Sequence, residues 1–378
     1  MLAYVLEAAA AVTGSRPLVV ISPPVAQIAE VFAGEADFAI QAEPRGTADA
    51  VATALRDLPR DVREIIVLSG DVPLVDASAM TELIAARRDV EAAVALISVD
   101  MDDPAALGRV ARDGEGRITG VVEFNDATPD QRRINEINSG LYAFDAEWLR
   151  LRIGEIEPSA VTGEFYLPEL IPLARQDGRA VVTLEVEDDG TLLGINDRSQ
   201  LADAELDMRL RILEAHMAAG VTITDPSTTY VDESVRIAED VTLEPNVILR
   251  GQTVIERDAV IRAGSQIFDT TIGERTVVWA SVLEGSTVDA DVTIGPFSHV
   301  RKGAYIGPNV ELGNYAEVKN SNIGAGTKSH HFSYLGDADV GEKVNIGAGS
   351  ITANYDGKRK HRTRIGKGAF IGSDTIMR

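Results

Sequence analysis

Residues 294–319 read "IGPFSHVRKGAYIGPNVELGNYAEVK". Ile294, Val300, Ile306, Leu312 and Val318 fall six apart, and Val288 extends the beat backwards. A helix returns to one face every three or four residues and a strand every second, so a beat of six belongs to neither. It fits a parallel β-helix, in which each hexapeptide supplies one flat side, turns a corner and stacks its aliphatic side chain inside. Glycine follows the aliphatic position in "IGPFSH", "IGPNVE", "LGNYAE", "IGAGTK" and "IGKGAF", where a permissive residue suits a bend.

Working outward, Val231, Ile237, Leu243 and Leu249 already keep the same time. Further on, "NIGAGSITANYDGKRKHR" (345–362) holds it to Ile346 and then breaks. Asn354, Tyr355, Asp356 and Gly357 intervene, followed by Lys358, Arg359, Lys360, His361 and Arg362. The interruption reads as a loop expelled from the coil. Its charge stands out in a chain with 59 acidic and 36 basic residues and a formal net charge of −23. That field repels nucleic acid and anionic membrane, so neither is expected as a partner. An anionic small substrate needs a local basic site, and this run offers one.

The first half has a different rhythm. "PLVVIS" (17–22), "DFAIQA" (37–42), "EIIVLSG" (64–70), "AAVALISV" (92–99), "GRVARDGEGRITGVVEF" (108–124) and "INSGLYAF" (137–144) read as strands. "PVAQIAEVFAG" (24–34) and the segment from "GTADAVATAL" (46–55) read as helices between them. The apolar run at 64–70 suits a strand covered on both faces. This alternation implies an α/β, Rossmann-like and mostly parallel sheet, with ligands beyond the carboxyl ends of its strands. "RSQLADAELDMRLRILEAHMAA" (198–219) reads as a long amphipathic helix, with Asn196 or Asp197 as N-cap and Gly220 as stop. The expected division is 1–196, a linker helix at 197–220, and a β-helix at 221–378.

At 378 residues the chain is too long for a single core. It has no cysteine, which removes disulfides and thiolate metal sites, and its five histidines show no zinc spacing. No apolar run approaches the roughly 18 residues of a spanning helix. "MLAYVLEAAAAV" carries Glu7 and no basic flank, so it makes a poor signal peptide. A cytoplasmic location is expected. Neither end reads as a domain's natural limit. The last hexapeptides, at "IGSDTIMR", have no cap. The first helix starts at residue 2 with no Gly-rich phosphate loop ahead of it. The expectation is a chain shortened at both ends.

"GNYAEVK" (313–319), "HFSYLGDADVG" (331–341), "NIGAG" (345–349) and "NYDG" (354–357), with the α/β half before them, resemble one family. It is the bacterial bifunctional N-acetylglucosamine-1-phosphate uridylyltransferase / glucosamine-1-phosphate N-acetyltransferase family. The resemblance implies a nucleotidyltransferase domain followed by a left-handed β-helix that assembles as a homotrimer. It also implies two reactions: acetyl transfer from acetyl-CoA to glucosamine-1-phosphate, then uridylyl transfer from UTP to N-acetylglucosamine-1-phosphate with release of pyrophosphate.

Asp71 in "LSGDVPLV" (68–75) sits just past a strand end after Ser69 and Gly70, where a carboxylate suits Mg²⁺ or simply caps a turn. The resemblance favours the metal and adds Asn196 of "GIND" as a second ligand. It also implies that Gln41 reads the uracil, with Gly46 and Thr47 against it. The sugar side falls to Gly108, Glu123 and Asn138. For acetyl transfer it gives His331 the part of general base, where His330 is plain surface. Arg301, Lys319, Tyr334 and Asn345 would line the sugar-phosphate site, with Lys360 reaching in across a subunit boundary. Ala348, Asn354, Tyr355 and Ser373 would contact acetyl-CoA. Asn125 stands where the family usually has Lys, and "LPE" ending at Glu169 stands where "LTD" is usual. Two other readings stay open at this point: a different sugar-1-phosphate nucleotidyltransferase with a non-catalytic β-helix, and a trimerising chain without activity.

Overall fold

The computed structural model describes residues 1–187 and 190–378. They form two compact units, Met1–Ala204 and Glu205–Arg378.

In the first unit, strands β1 (Leu18–Ile21) and β2 (Asp37–Ile40) pair in parallel. A six-stranded sheet contains β3 (Glu64–Val67), β4 (Val94–Asp100), β5 (Arg109–Arg112), β6 (Ile118–Val122), β7 (Glu136–Asp145) and β8 (Val181–Glu187). β3, β4, β5 and β8 run the same way, as the sequence implies. The long strand β7, however, lies antiparallel between β4 on one edge and both β3 and β5 on the other. Only β4 and β8 pair in parallel within this sheet. β7 can sit there because both its faces are apolar: Tyr142 and Phe144 face one core, Leu141 and Ala143 the other.

Helices α1 (Leu2–Thr13), α2 (Ile28–Val31), α3 (Thr47–Asp57), α4 (Ala77–Asp89), α5 (Ala146–Arg152) and α6 (Leu170–Gln176) accompany the strands. The helix expected over 24–34 is reduced to a 3₁₀ turn at Pro23–Val25 and the single turn of α2. Neither piece buries a residue, so there was no packed face to hold a longer helix.

α7 (Arg198–Ala218) starts where Asp197 accepts hydrogen bonds from the backbone of Ser199 (2.8 Å) and Gln200 (2.9 Å). It ends before Gly220, whose φ is 95°. The expected apolar stripe is not used as one, because Leu213 alone is buried while Leu206 and Met217 are exposed.

The second unit is a three-sided parallel β-helix. Among the described residues its sides carry nine, nine and eight strands, each strand pairing with the one a full coil away. Ile294 stacks on Leu312, Val300 on Val318 and Ile306 on Ile323. Ile294, Val300, Ile306 and Val318 are fully buried and Leu312 nearly so, within one continuous core that Leu213 also joins. The beat that fades between Leu249 and Val288 is intact in space. Leu249 pairs with Ile267 eighteen positions on, but Ile267 pairs with Leu283 after only sixteen. Corners lose a residue and the inward column keeps its register.

Glycine after the aliphatic position has a reason beyond bending. A Cβ on Gly324 would lie 2.5 Å from the Gly341 carbonyl carbon, and one on Gly313 would strike the His330 carbonyl. Successive coils approach too closely there for any side chain.

Because each coil is held by its neighbours, damage inside is felt directly. Ile306→Ala is expected to cost about 3 kcal/mol, read as a lower urea midpoint at an unchanged slope. An unchanged midpoint would place Ile306 outside the stack.

Candidate functional sites

In the first unit, Asp71 follows the end of β3. Its carboxylate packs against Gly194, where a Cβ would stand 3.1 Å from Oδ2, and its carbonyl accepts from the Ile195 N–H at 3.0 Å. Asn196 is the next residue, its side-chain amide donating to the Gly194 carbonyl at 3.1 Å. The structure therefore brings Asp71 and Asn196 to one spot. No hydrogen bond or ion pair engages the Asp71 carboxylate among the described residues.

A second group lies beside it. The Gly108 Cα faces the Glu123 carboxylate, and its carbonyl accepts from the Asn138 N–H at 3.0 Å. Asn138 Oδ1 accepts from the Gly140 N–H at 3.1 Å, and a Cβ on Gly140 would come within 3.1 Å of Ser69 Oγ. A continuous line of contacts thus runs from Gly108, Glu123 and Asn138 through Gly140, Ser69 and Gly70 to Asp71 and Asn196. Burial, then the charges of Asp126 and Glu164, push the Glu123 carboxyl above its usual range. Sequence reading missed Tyr142, whose buried hydroxyl lies beside Asn138 and in the field of Glu123. The alternation of β7 places it on the same face as Asn138, which is the signal that was available.

Gln41 is nearly buried, its amide donating to Asp49 at 2.7 Å, and Asp49 also pairs with Arg45. Gly46 has φ 106°, and a Cβ there would lie 2.5 Å from the Phe165 carbonyl oxygen. Thr47 Oγ1 accepts from the Leu167 N–H at 2.9 Å. This segment is clamped onto 165–167, and among the described residues no hydrogen bond or ion pair joins it to the other two groups.

In the second unit, Arg301 and Lys319 are register partners on successive coils of one side, with Gly336 next. Tyr334 lies over Gly336, where a side chain would collide with the phenol. Lys360 stands beside Lys319 within the chain. That contact, then the charges of Lys360 and Arg301, pull the Lys319 ammonium below its usual range. Arg301 also pairs with Glu317 at 2.8 Å.

His331 occupies the corner before this side. His330 Nε2 is engaged by Glu311 at 2.6 Å, whereas His331 is exposed with no partner among the described residues. The Gly349 N–H donates to the Phe332 carbonyl at 2.8 Å and the Asp374 N–H to the Ala348 carbonyl at 2.7 Å. His331, Ala348 and Ser373 therefore stack at one corner on three successive coils. Asn345 does not join Arg301 and Lys319, since it lies on the neighbouring side between Lys328 and Phe370.

The broken rhythm is an ejected hairpin. Tyr355 bridges Lys360, and Asp356 accepts from the N–H groups of Lys358 (2.8 Å) and Arg359 (2.7 Å) and from His361 (2.7 Å). These contacts, the Arg359 N–H foremost, hold the Asp356 carboxyl at about 2. Tyr355 spends its hydroxyl on the Gly357 carbonyl at 2.7 Å, and Asn354 donates to Asp337 at 2.5 Å.

An α/β unit with an open carboxylate at its strand ends, joined to a β-helix bearing a free imidazole and clustered cations, defines a transferase with two heads. Residues 1–191 match the nucleotidyl transferase family, and residues 285–320 match the six repeats of the bacterial transferase hexapeptide family. Over its whole length the chain is 39% identical to the bifunctional protein GlmU of Listeria monocytogenes, covering 82% of that protein. It is 40% identical to the GlmU of Pelobacter propionicus, covering 83%, and 39% identical to that of Mycobacterium tuberculosis, covering 78%. The chain belongs to the family of bifunctional GlmU proteins, and its β-helix is of the left-handed hexapeptide type. No helix among the described residues is long and apolar enough to cross a membrane.

Gly46→Ala is expected to force the 41–47 segment off 165–167. Thermal unfolding of the first unit should fall by several degrees, while the β-helix transition stays in place. Equal loss in both transitions would contradict the clamp.

Proposed function

We propose that the two units carry out successive steps in the synthesis of UDP-N-acetylglucosamine. On the β-helix, glucosamine-1-phosphate lies across the side bearing Tyr334, its phosphate against Arg301, Lys319 and Lys360. Its amine points toward the corner of His331. That side is four residues long, about 13 Å at some 3.3 Å per residue, a span that a sugar phosphate and long cationic side chains cover. His331 takes the ammonium proton, and the freed amine attacks the thioester carbonyl of acetyl-CoA laid along Ala348 and Ser373, with CoA leaving as the thiol. The observation that carries this reading is the corner column of His331, Ala348 and Ser373 on the same side of the prism as the cations. Asn345 lies on another side, which suits a site completed by a neighbouring copy in a homotrimer.

In the first unit, the phosphate oxygen of N-acetylglucosamine-1-phosphate attacks the α-phosphorus of UTP and pyrophosphate leaves. Gln41, Gly46 and Thr47 take the uracil end, and Gly108, Glu123 and Asn138 take the sugar. Asp71 and Asn196 would hold Mg²⁺, which fits because the Asp71 carboxylate is open and Gly194 leaves room beside it. No cluster of three or more metal-binding side chains exists among the described residues, so phosphate oxygens would complete the shell. Bound there, the ion neutralises phosphate charge. The chain's own work is to place the two substrates in line. Both reactions draw on cytoplasmic substrates.

The two heads should fail separately. His331→Ala is expected to lower acetyl transfer roughly 100-fold or more, followed as free thiol, with pyrophosphate release unchanged. Asp71→Asn should do the reverse. Loss of both activities in either variant would overturn the assignment.

A further inference from the structure

Asp337, in the quoted motif "HFSYLGDADVG", has no part in the transfer described above, yet it is the polar hub beneath the ejected hairpin. It is only 8% exposed, and its φ of 48° turns the chain sharply at the far border of the side bearing Tyr334. Its Oδ1 accepts from the Asn320 side-chain amide at 2.5 Å, and its Oδ2 from the Asn354 amide at 2.5 Å. Lys360 Nζ lies 4.0 Å from Oδ2. Its backbone is fastened too, the N–H donating to the Lys319 carbonyl and the carbonyl accepting from the Thr363 N–H, both at 3.0 Å. One side chain therefore touches both ends of the loop's function: its root at Asn354 and its reaching cation at Lys360.

The electrostatics give this contact a purpose. Arg301, Lys319 and Lys360 gather in one place, and like charges there repel. Arg301 has Glu317 as its own partner. Lys360 is exposed on the hairpin, and Asp337 is the carboxylate that faces it. The other leg of the hairpin is secured independently, where Arg362 donates to Asp339 at 2.6 and 2.7 Å. Loss of Asp337 would therefore free the Asn354 root and Lys360 without releasing the whole loop.

We infer that Asp337 is a positioning residue for the sugar-phosphate site, holding Asn354 and Lys360 in place so that three cations face the incoming phosphate. The inference rests on the site assignment made above. It is separable from a plain charge effect by sign. A carboxylate beside a phosphate site disfavours the anion, so Asp337→Asn acting through charge alone would tighten binding. Acting as an anchor, the same change loosens it.

The test is calorimetric titration of the full chain with glucosamine-1-phosphate. Asp337→Asn should weaken binding roughly 10-fold, the scale of a hydrogen bond to a charged group. Lys360→Met should weaken it similarly. The double variant should be little worse than either single one, because both remove the same contact. Asp337→Glu, which keeps the charge but moves it by one methylene, should recover part of the loss and covers the case in which the amide variant fails to fold. Tighter binding in Asp337→Asn, or losses that simply add in the double variant, would overturn the inference while the site assignment stands. A wild-type chain with no saturable binding would overturn both.

Discussion

The inward aliphatic column governs this molecule. Each coil turns apolar side chains inward from its sides, and the backbone of the next coil lies so close that Gly313 and Gly324 admit no Cβ. A strand of two residues has almost no stability alone, so the column can be built only by stacking many such strands in register. Everything functional in the second unit is referred to that register. Arg301, Lys319 and Gly336 align because Val300, Val318 and Leu335 align beneath them. His331, Ala348 and Ser373 share a corner for the same reason.

What could be read in the sequence follows from how local each constraint is. The six-residue beat is local, so the β-helix and its expelled loop were legible, as was a cap at Asn196 or Asp197, of which the structure uses Asp197. The antiparallel insertion of β7 was not, because its partners β3, β4 and β5 lie 28 to 81 positions away and its own pattern is apolar on both faces. The 24–34 helix failed for a related reason: its spacing looked helical, but there was no neighbouring core for it to cover. Propensity proposes and packing decides.

The site divides along the same line. Among residues matched to motifs, the structure brings Asp71 near Asn196 and Glu123 against Gly108. The motif already set His331 apart from His330, and the coordinates add that Glu311 holds His330. Asp337 was invisible as a hub, since its partners Asn320 and Asn354 are each seventeen positions away and meet it only through the coil. The same winding gathers Arg301, Lys319 and Lys360, up to 59 positions apart in sequence, into one cationic cluster of an acidic chain.

The hairpin at 353–362 interrupts a coil without disturbing it. Val340 still pairs with Ile365, twenty-five positions on, and Ala338 and Asp339 keep their partners beside it. Such a scaffold counts inward side chains and ignores the length of what leaves at a corner. New recognition elements can therefore be grafted at other corners, and natural variation can explore them there, while the shaft that carries them stays as it was.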